Sequence, residues 1–518
     1  MTKIQNWRQS PEWVAIVAAL SAGFLTHLFA MVTSQFNYDN MTYNFIGIGD
    51  GVVVGRWLLS LMYDAGATLG FIFNLPALNA LVFLAFAAVS ASVLVSIFQI
   101  KRKAFAAYIG MLVAVFPTAT DTLIFRYTAP AYGVSLLLAL AAAWILPRNR
   151  WGWGLAVVFG ACSMGIYQAN ISFTISIFVL LLLQQTLKGE SSPRQIVRKG
   201  LFYCGLLLCV LILYLLCLRL CLTYYHAELS EYLGINKMGQ FSLRELPQLL
   251  KKTYWYVLRI PFDDYCGVAP IPLIRAVISL MGLASGVMLG IILRRDFKWP
   301  TLLLTIGLCA LYPLALNFVM VMMQAMPYTL MVYAFVLLPI TPLVLYELLP
   351  PPKEGAWRLK IRAWLTKGLG SLMALLIFCY AYCDNINTAG LHYATVQMEN
   401  YVNAMITQVR MTEGFDTDKT WAFVGNVSDP MMNFQWGQTA KYGGWNFPSA
   451  NINDHSRYRW FREYLGIYFE TLDREEAAKL AYLDEVKEMP TWPNQGSVKV
   501  IGDLVVIKCE ELTETEAE

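Results

Sequence analysis

Residues 76–98 read PALNALVFLAFAAVSASVLVSIF, a run without a single charged side chain. A helix needs about 20 mainly apolar residues to cross the hydrocarbon core of a bilayer. Runs of this kind recur along the first three quarters of the chain, and they predict about 11 membrane-spanning helices. The predicted spans are 13–33, 76–98, 105–120, 129–147, 151–168, 170–187, 200–222, 271–293, 300–318, 328–349 and 367–384.

The composition of the whole chain supports this fold class. Of its 518 residues, 57% are hydrophobic and only 14% are charged, whereas about 25% are charged in an average soluble domain. This excludes a cytosolic enzyme and a disordered chain, because both need more charge in contact with water. The net charge of +4 is not gathered into a basic stripe, so no nucleic-acid partner is expected. We therefore predict a polytopic α-helical membrane protein in contact with lipids.

The charge divides the chain into two predicted domains. Residues 385–518 carry 11 basic and 20 acidic side chains, although the net charge of the chain is positive. We predict a transmembrane domain over 1–384, with outer loops at 34–75 and 224–270, and a water-soluble α/β domain over 385–518. The predicted elements of that second domain are helices at 394–412, 457–469 and 473–486, a strand at 420–427 and a β-hairpin at 497–509.

The distribution of Lys and Arg predicts the orientation. If the N-terminus is cytoplasmic, the inner segments hold 19 Lys and Arg residues and the outer loops hold 7. Positive charge is retained on the cytoplasmic side of membrane proteins, so the N-terminus is predicted inside and residues 385–518 outside. None of the ten Cys residues lies in a CxxC pattern. Cys266 and Cys509 are both predicted on the outer side, which permits a disulfide that nothing in the sequence demands.

Four carboxylates are predicted near the outer face of the transmembrane domain. Asp39 follows the first span, Asp50 and Asp64 lie in the same loop, and Asp121 follows the third span. A partly desolvated carboxylate at the membrane boundary is suited to act as a general base. Each acid taken alone is also compatible with a solvated loop residue. Their convergence at one end of the protein favours a functional role.

Two arginines lie in the same outer region. Arg56 is the only basic residue of 34–75, in a segment over 45–65 predicted to form an amphipathic interfacial helix. Arg126 is the only basic residue of the short loop after the third span. A guanidinium at this depth suits a lipid phosphate, because it stays charged and binds phosphate with two parallel hydrogen bonds. An interfacial Arg that merely contacts headgroups is the alternative.

No motif predicts a metal or a cofactor. The four His residues are scattered without an HExxH pattern, and Asp416–Asp418 is best interpreted as a solvated turn. The turn Tyr167-Gln168-Ala169-Asn170 places polar groups between two spans, which is typical of a cavity or of helix–helix hydrogen bonding. The tryptophans of 385–518, with Trp445 in YGGWNF, are candidates to stack on sugar rings, although core packing is expected for at least half of them.

Several of these stretches together resemble a known family. They are YDN at 38–40, GRW at 55–57, YQAN at 167–170 and IGDLVVIK at 501–508. With many spans and an extracytoplasmic C-terminal domain, they are similar to the bacterial and phage O-antigen glucosyltransferases that modify lipopolysaccharide, members of the GT-C superfamily. That family typically has a paired Asp-Asp before the Gly-Arg. Here the second acid is Asn40, so Asp39 must act without an adjacent carboxylate.

The resemblance implies a reaction and roles for the residues. It implies transfer of glucose or a related hexose from a polyprenyl-phosphate sugar to a polysaccharide, on the periplasmic side of the bacterial inner membrane. A flippase and a polyprenyl-phosphate glucosyltransferase are the implied functional partners. Asp39 or Asp121 would take the acceptor proton, and Arg56 and Arg126 would hold the lipid phosphate. The candidate contacts to sugar or acceptor are Tyr38, Asn40, Tyr167, Gln168 and Trp445.

Two other functions remain open from the sequence. A flippase or transporter of lipid-linked sugars would share the spans and the basic groups, but it would need neither an outer base nor a large outer domain. An O-antigen polymerase or ligase also acts outside the membrane. The pair Asp263–Asp264 in the 224–270 loop keeps that second alternative open.

Overall fold

The computed structural model describes residues 7–33, 35, 50–70, 75–146, 151–231, 244–295, 298–323, 325–350, 356–426, 461–462 and 465–511. These residues form two compact units. The helical unit holds the described residues of Met1–Val32 and Gly47–Asn387. The C-terminal unit holds the described residues from Thr388 onward, together with Thr33 and Gln35.

The helical unit contains no strand among its described residues. The helices are α1 (Pro11–Val32), α2 (Asp50–Val53), α3 (Trp57–Leu69), α4 (Pro76–Phe98), α5 (Lys103–Val115), α6 (Pro117–Ile124), α7 (Ala129–Ile145), α8 (Gly152–Ile166), α9 (Ile171–Lys188), α10 (Pro193–Tyr224), α11 (Leu246–Arg259), α12 (Pro272–Arg295), α13 (Trp299–Leu316), α14 (Phe318–Met323), α15 (Leu337–Leu348) and the first part of α16 (Ala356–Met411). Their core is continuous: α1 contacts α4 and α5, α4 contacts α7, α7 contacts α8, and α9 contacts α13.

The described residues confirm a polytopic helical membrane protein. Eight helical segments among them are long and apolar enough to cross a bilayer, and three shorter apolar helices occupy the remaining predicted positions. Of the 11 predicted spans, eight are therefore long enough among the described residues to cross a bilayer, and three are shorter. The eight are Pro11–Val32, Pro76–Phe98, Lys103–Ile124, Gln168–Lys188, Pro193–Tyr224, Pro272–Arg294, Trp299–Leu316 and Arg362–Met411, and the three are Ala129–Ile145, Gly152–Ile166 and Tyr333–Leu348.

A proline interrupts the third predicted span and separates α5 from α6. Phe116, the residue before Pro117, has φ −65° and ψ 140°, the extended conformation that proline imposes on its predecessor. Because Pro117 has no N–H, the last carbonyls of α5 lose their helical donors. The Tyr333 hydroxyl donates to the Val113 carbonyl at 2.6 Å, and His27 Nε2 lies 2.9 Å from the Ala114 carbonyl.

The segment predicted as one span over 328–349 is not one continuous helix. It begins with two 3-10 turns, Thr329–Met331 and Tyr333–Val336, and then continues as α15 with Pro342 inside it. The prediction is wrong because apolar composition reports hydrophobicity and not the regularity of the backbone. The first 3-10 turn is hydrogen-bonded to α6, because the Thr118 hydroxyl donates to the Thr329 carbonyl at 2.7 Å.

The amphipathic segment predicted over 45–65 is described from Asp50 onward, and there it forms two helices. Gly55 separates α2 from α3 with a φ of 79°, a left-handed conformation that glycine adopts without a steric penalty. The Gly55 N–H donates to Val52 O at 2.9 Å, and the Arg56 N–H donates to Gly51 O at 2.7 Å. The prediction of a single helix is wrong because Gly55 turns the backbone.

Helix α16 joins two segments that were predicted separately. It runs unbroken through the predicted span 367–384 and the predicted helix 394–412. The polar residues between them do not end the helix, because their amides bond to their own preceding turn. Asn385 Nδ2 donates to Ala381 O and Asn387 Nδ2 donates to Cys383 O, both at 2.8 Å.

The C-terminal unit is built around a three-stranded sheet. Its elements after α16 are β1 (Thr420–Val424), α17 (Arg474–Leu480), α18 (Asp484–Lys487), β2 (Val498–Ile501) and β3 (Leu504–Lys508). The strand order is β1-β3-β2, with β1 parallel and β2 antiparallel to β3. The structure confirms the predicted strand within 420–427 and the hairpin within 497–509, whose turn is Gly502–Asp503.

The two predicted helices between the strands differ from the structure. In the described part of 457–469, residues 461–462 are helical, as predicted, and residues 465–469 are not. The chain there runs toward the edge of β1, where Trp421 donates its N–H to Glu470 O at 2.7 Å. The predicted helix 473–486 is two short helices, α17 and α18. The amphipathic pattern of 473–486 gave no indication that the helix ends at Leu480 and that a second one begins at Asp484.

Aromatic rings form the core of the C-terminal unit. Trp421 stacks on Phe469 with ring centroids 4.2 Å apart, and Phe461 packs edge-on against Phe469 at 5.2 Å. Trp421 and Trp492 are only 3% and 5% exposed. Among the described residues, these two tryptophans are therefore core residues and not a sugar-binding surface.

Candidate functional site

The turn at Gly55 is clamped by two side chains from elsewhere in the helical unit. Gln168, which follows α8, donates from Nε2 to the Val54 carbonyl at 2.8 Å. The Tyr214 hydroxyl on α10 donates to the Gly55 carbonyl at 2.9 Å and lies 3.3 Å from Gln168 Nε2. A Cβ on residue 55 would lie 2.5 Å from Gln168 Nε2 and 2.7 Å from the Tyr214 Oη. Both the φ angle and the space therefore require glycine here.

The turn at Gly55 places the Arg56 side chain over two stacked tyrosine rings. The rings of Tyr132 and Tyr167 have centroids 4.2 Å apart and are inclined by 20°. Arg56 Cζ lies 5.1 Å from the Tyr167 centroid and 5.8 Å from the Tyr132 centroid. A guanidinium over aromatic rings gains about 0.5–2 kcal/mol. The structure thus brings together Arg56, Tyr167 and Gln168, which the sequence singled out in two separate motifs.

The polar turn that carries Tyr167 and Gln168 is itself fixed to its neighbours. Asn170 Nδ2 donates to the Ser135 hydroxyl at 2.9 Å. Ser135 and Ser163 exchange hydrogen bonds between hydroxyl and carbonyl at 2.9 and 2.8 Å, which ties α7 to α8. The position of the two rings under Arg56 is therefore set by buried hydrogen bonds.

Arg126 lies in the turn between α6 and α7 and is only 6% exposed. Its Nη2 donates to the Ala30 carbonyl at 3.0 Å. This carbonyl belongs to the last turn of α1, where carbonyls lack helical donors and a positive charge is favourable. The Arg126 carbonyl also accepts Asn79 Nδ2 at 3.1 Å. Arg126 therefore has a structural contact, and its binding of phosphate stays a prediction.

The predicted carboxylates of the helical unit have different surroundings. Asp121 lies on α6 and has no exposed surface. Asp64 on α3 accepts a hydrogen bond from the Tyr225 hydroxyl. Asp50 begins α2. A buried carboxylate is costly within a membrane domain and by default marks a functional position, which favours Asp121 over the other two.

Asp384 was not predicted. It lies on α16 with no exposed surface, and its carboxylate interacts electrostatically with the phenols of Tyr333 and Tyr380. The Phe116 ring, beside the α5–α6 break, stacks on Tyr333 at 6.0 Å and meets Tyr380 edge-on at 5.5 Å. The sequence signal was present, because Asp384 is the first acid after a long apolar run.

Asp263 and Asp264 of the outer loop both have partners. Asp263 pairs with Arg259 at 3.1 Å. The Asp264 carboxylate accepts the N–H groups of Gly267 at 3.2 Å and Ala269 at 3.0 Å. Burial raises the pKa of Asp264, and these two N–H groups oppose the rise. Both acids therefore shape the loop between α11 and α12.

Four predicted site residues, Asp39, Tyr38, Asn40 and Trp445, lie outside the described residues. Cys266 and Cys509 are both free thiols. The Cys266 thiol lies 2.9 Å from the Pro327 carbonyl, and burial raises its pKa to about 12. Among the described residues, no group of three or more His, Cys, Asp or Glu is placed to hold a metal ion.

These observations define a helical membrane protein with a guanidinium held at a turn between two helices and with two buried carboxylates on its helices. A family model described as Glucosyl transferase GtrII matches residues 28–339, more than half of the chain. The chain therefore belongs to that family and is a glycosyltransferase, and the family resemblance inferred from the sequence is confirmed. The matched region includes the Arg56 turn and the Tyr167–Asn170 turn. No curated protein and no solved structure matches the chain.

Proposed function

We propose that the chain transfers glucose, or a related hexose, from a polyprenyl-phosphate sugar to O-antigen or another cell-surface polysaccharide. Family membership supports glucosyl transfer. The excess of Lys and Arg in alternate connections supports a cytoplasmic N-terminus and a reaction on the periplasmic side of the inner membrane. The proposed architecture is of the GT-C type.

The observation that carries the proposal is the preorganised guanidinium of Arg56. Gln168 and Tyr214 hold the carbonyls of the two residues that precede it. Its side chain lies over the rings of Tyr132 and Tyr167. A phosphate leaving group develops negative charge as the sugar departs. A fixed cation in surroundings poor in water stabilises such charge without having to reorganise. Arg126 is proposed to add positive charge nearby.

The proposed reaction is a single displacement at the anomeric carbon. An acceptor hydroxyl oxygen attacks that carbon, the bond from carbon to phosphate oxygen breaks, and the electron pair leaves with the lipid phosphate. Asp39 is the proposed base that takes the hydroxyl proton. Asp121 is the second candidate, and its complete burial would require the protein to open before it could reach an acceptor. The product should have the inverted anomeric configuration.

The remaining proposed contacts concern the sugar and the acceptor. Tyr38, Asn40, Tyr167 and Gln168 are proposed to line the sugar site, and Trp445 is proposed to stack on the acceptor glycan. A flippase and a polyprenyl-phosphate glucosyltransferase would supply the donor outside the membrane.

The test is transfer by purified protein from a synthetic prenyl-phosphate glucose to polysaccharide. We expect Asp39→Asn to lower kcat about a hundredfold or more, the contribution of a general base. Glu190→Gln removes an exposed carboxylate far from the site in sequence and serves as the matched control. Full activity of Asp39→Asn with loss in Asp121→Asn would transfer the role of base to Asp121. Full activity of both would refute the assignment, and retention of activity in a metal chelator would support a reaction without a metal.

A further inference from the structure

Helix α11 packs on the helical unit through one narrow face. Its buried residues are Leu249, Thr253 and Val257, spaced four apart. This spacing places them on one side of the helix, and they face α13 and α14.

The opposite face of α11 combines apolar and basic side chains. Trp255 and Leu258 are 59% and 63% exposed, and Phe262, just beyond the helix, is 80% exposed. Lys251 and Lys252 are exposed beside them. Three large apolar groups gathered on one exposed surface mark an interaction site and not a face in contact with water.

A hydrogen bond fixes the depth of α11 relative to a predicted span. The Tyr254 hydroxyl donates to the Ala310 carbonyl at 2.5 Å. Ala310 lies six residues before Leu316, the end of α13, which corresponds to about 9 Å along the helix axis at 1.5 Å per residue. Interfacial helices bury their apolar faces about 5–10 Å into the boundary between headgroups and acyl chains. If the end of α13 marks the outer end of its span, this distance places α11 at the depth of the membrane interface.

The charges on α11 complete the argument. Arg259 is paired with Asp263, whereas no ion pair among the described residues includes Lys251 or Lys252. We propose that α11 lies in the membrane interface and binds anionic phospholipid. Trp255, Leu258 and Phe262 lie among the upper acyl chains, and the two lysines contact lipid phosphates. This surface is separate from the Arg56 site, and the proposal does not depend on sugar transfer.

Amide hydrogen exchange of residues 246–259 tests the proposal on the full chain in lipid nanodiscs without any prenyl phosphate. One set of discs contains only phosphatidylcholine, and the other is rich in phosphatidylglycerol. A basic side chain near an anionic surface changes binding about fivefold, so the lysine pair is worth about thirtyfold. We expect exchange of the wild type to be at least fivefold slower in the anionic discs, and the difference to vanish at high salt.

Two variants make the result specific. Lys251→Gln/Lys252→Gln should lose the difference between the two lipids, and the matched control Lys479→Gln/Lys499→Gln, on exposed positions of the C-terminal unit, should keep it. Trp255→Gln should speed exchange in both lipids, because the apolar anchor is lost. Equal exchange of the wild type in the two lipids, or an unchanged difference in the Lys251→Gln/Lys252→Gln variant, would overturn the proposal.

Discussion

The Gly55→Ala variant separates steric intrusion at the Arg56 turn from backbone strain. Two glycines of the helical unit have nearly the same φ, 79° at Gly55 and 78° at Gly70. A Cβ at Gly55 would enter the hydrogen-bond network of Gln168 and Tyr214, at 2.5 and 2.7 Å from their polar atoms. A Cβ at Gly70 would meet no described atom within 4 Å. Gly70→Ala is therefore the matched control.

The expected magnitudes differ between the two variants. A left-handed alanine costs about 1–2 kcal/mol at either position. Gly55→Ala must also displace Gln168 and Tyr214, and each buried polar group that loses its partner costs about 1–3 kcal/mol. The difference between the variants is therefore about 2–6 kcal/mol in the free energy of unfolding. A shift of Arg56 by about 1 Å would lower kcat by a further factor of roughly a hundred.

The measurement is thermal unfolding in detergent together with the rate of sugar transfer. Gly70→Ala should lower Tm slightly and leave kcat within about twofold of the wild type, since it strains only the end of α3. Gly55→Ala should lower Tm further and lose most of its activity. If both variants lost the same stability and kept the same activity, the clamp on the Arg56 turn would not exist as described.

Three more predictions address other parts of the chain. Arg56→Lys should lower kcat about a hundredfold, because an ammonium group cannot form two parallel hydrogen bonds to phosphate; activity near the wild-type level in the transfer assay would contradict this. Tyr333→Phe should lower stability by about 1–3 kcal/mol, because the Val113 carbonyl loses its donor, whereas the half-exposed Tyr328→Phe should have little effect on Tm. Trp421→Ala should destabilise the C-terminal unit by about 3–5 kcal/mol, seen as faster proteolysis there, and unchanged cleavage would place Trp421 outside the core.

The sequence predicted the positions of the helices well, because long apolar runs are demanded by the bilayer itself. Residues 76–98 coincide with α4, whose first residue is the proline favoured at that position. The β-hairpin was equally evident, since Gly502 supplies the left-handed turn between two short strands rich in Val and Ile. Such features depend on local chemistry, which a single sequence contains.

The breaks within helices and the long-range contacts were harder to predict from the sequence. Asn385 and Asn387 resemble a helix end, but their amides bond back to α16 and the helix continues. The bond from Gln168 to Val54 joins residues 114 positions apart, and no local pattern reveals it. The turn at Gly55 and the turn Tyr167–Asn170 were nevertheless identified from the sequence, because polar residues beside apolar spans require partners.

Asp384 is a fully buried carboxylate that was not predicted from the sequence. The carboxylates predicted from the sequence follow the ends of spans or lie in loops, whereas Asp384 lies inside the long helix α16 next to Tyr380. The helix predicted over 457–469 is helical at 461–462 but not over 465–469, for a different reason. Phe469 stacks on Trp421 at the sheet edge, and this tertiary packing overrode the helical pattern there.

The central claim is glucosyl transfer from a prenyl-phosphate donor, and a labelled donor tests it most directly. Purified protein is reconstituted in liposomes with prenyl-phosphate glucose that carries an isotope at the anomeric carbon, and polysaccharide is supplied on the side of the C-terminal unit. We predict that the label appears in the polysaccharide with inverted anomeric configuration, and that Arg56→Gln abolishes its appearance. If the label instead crossed the bilayer on the intact lipid and never reached the polysaccharide, the protein would be a transporter and the account would be wrong.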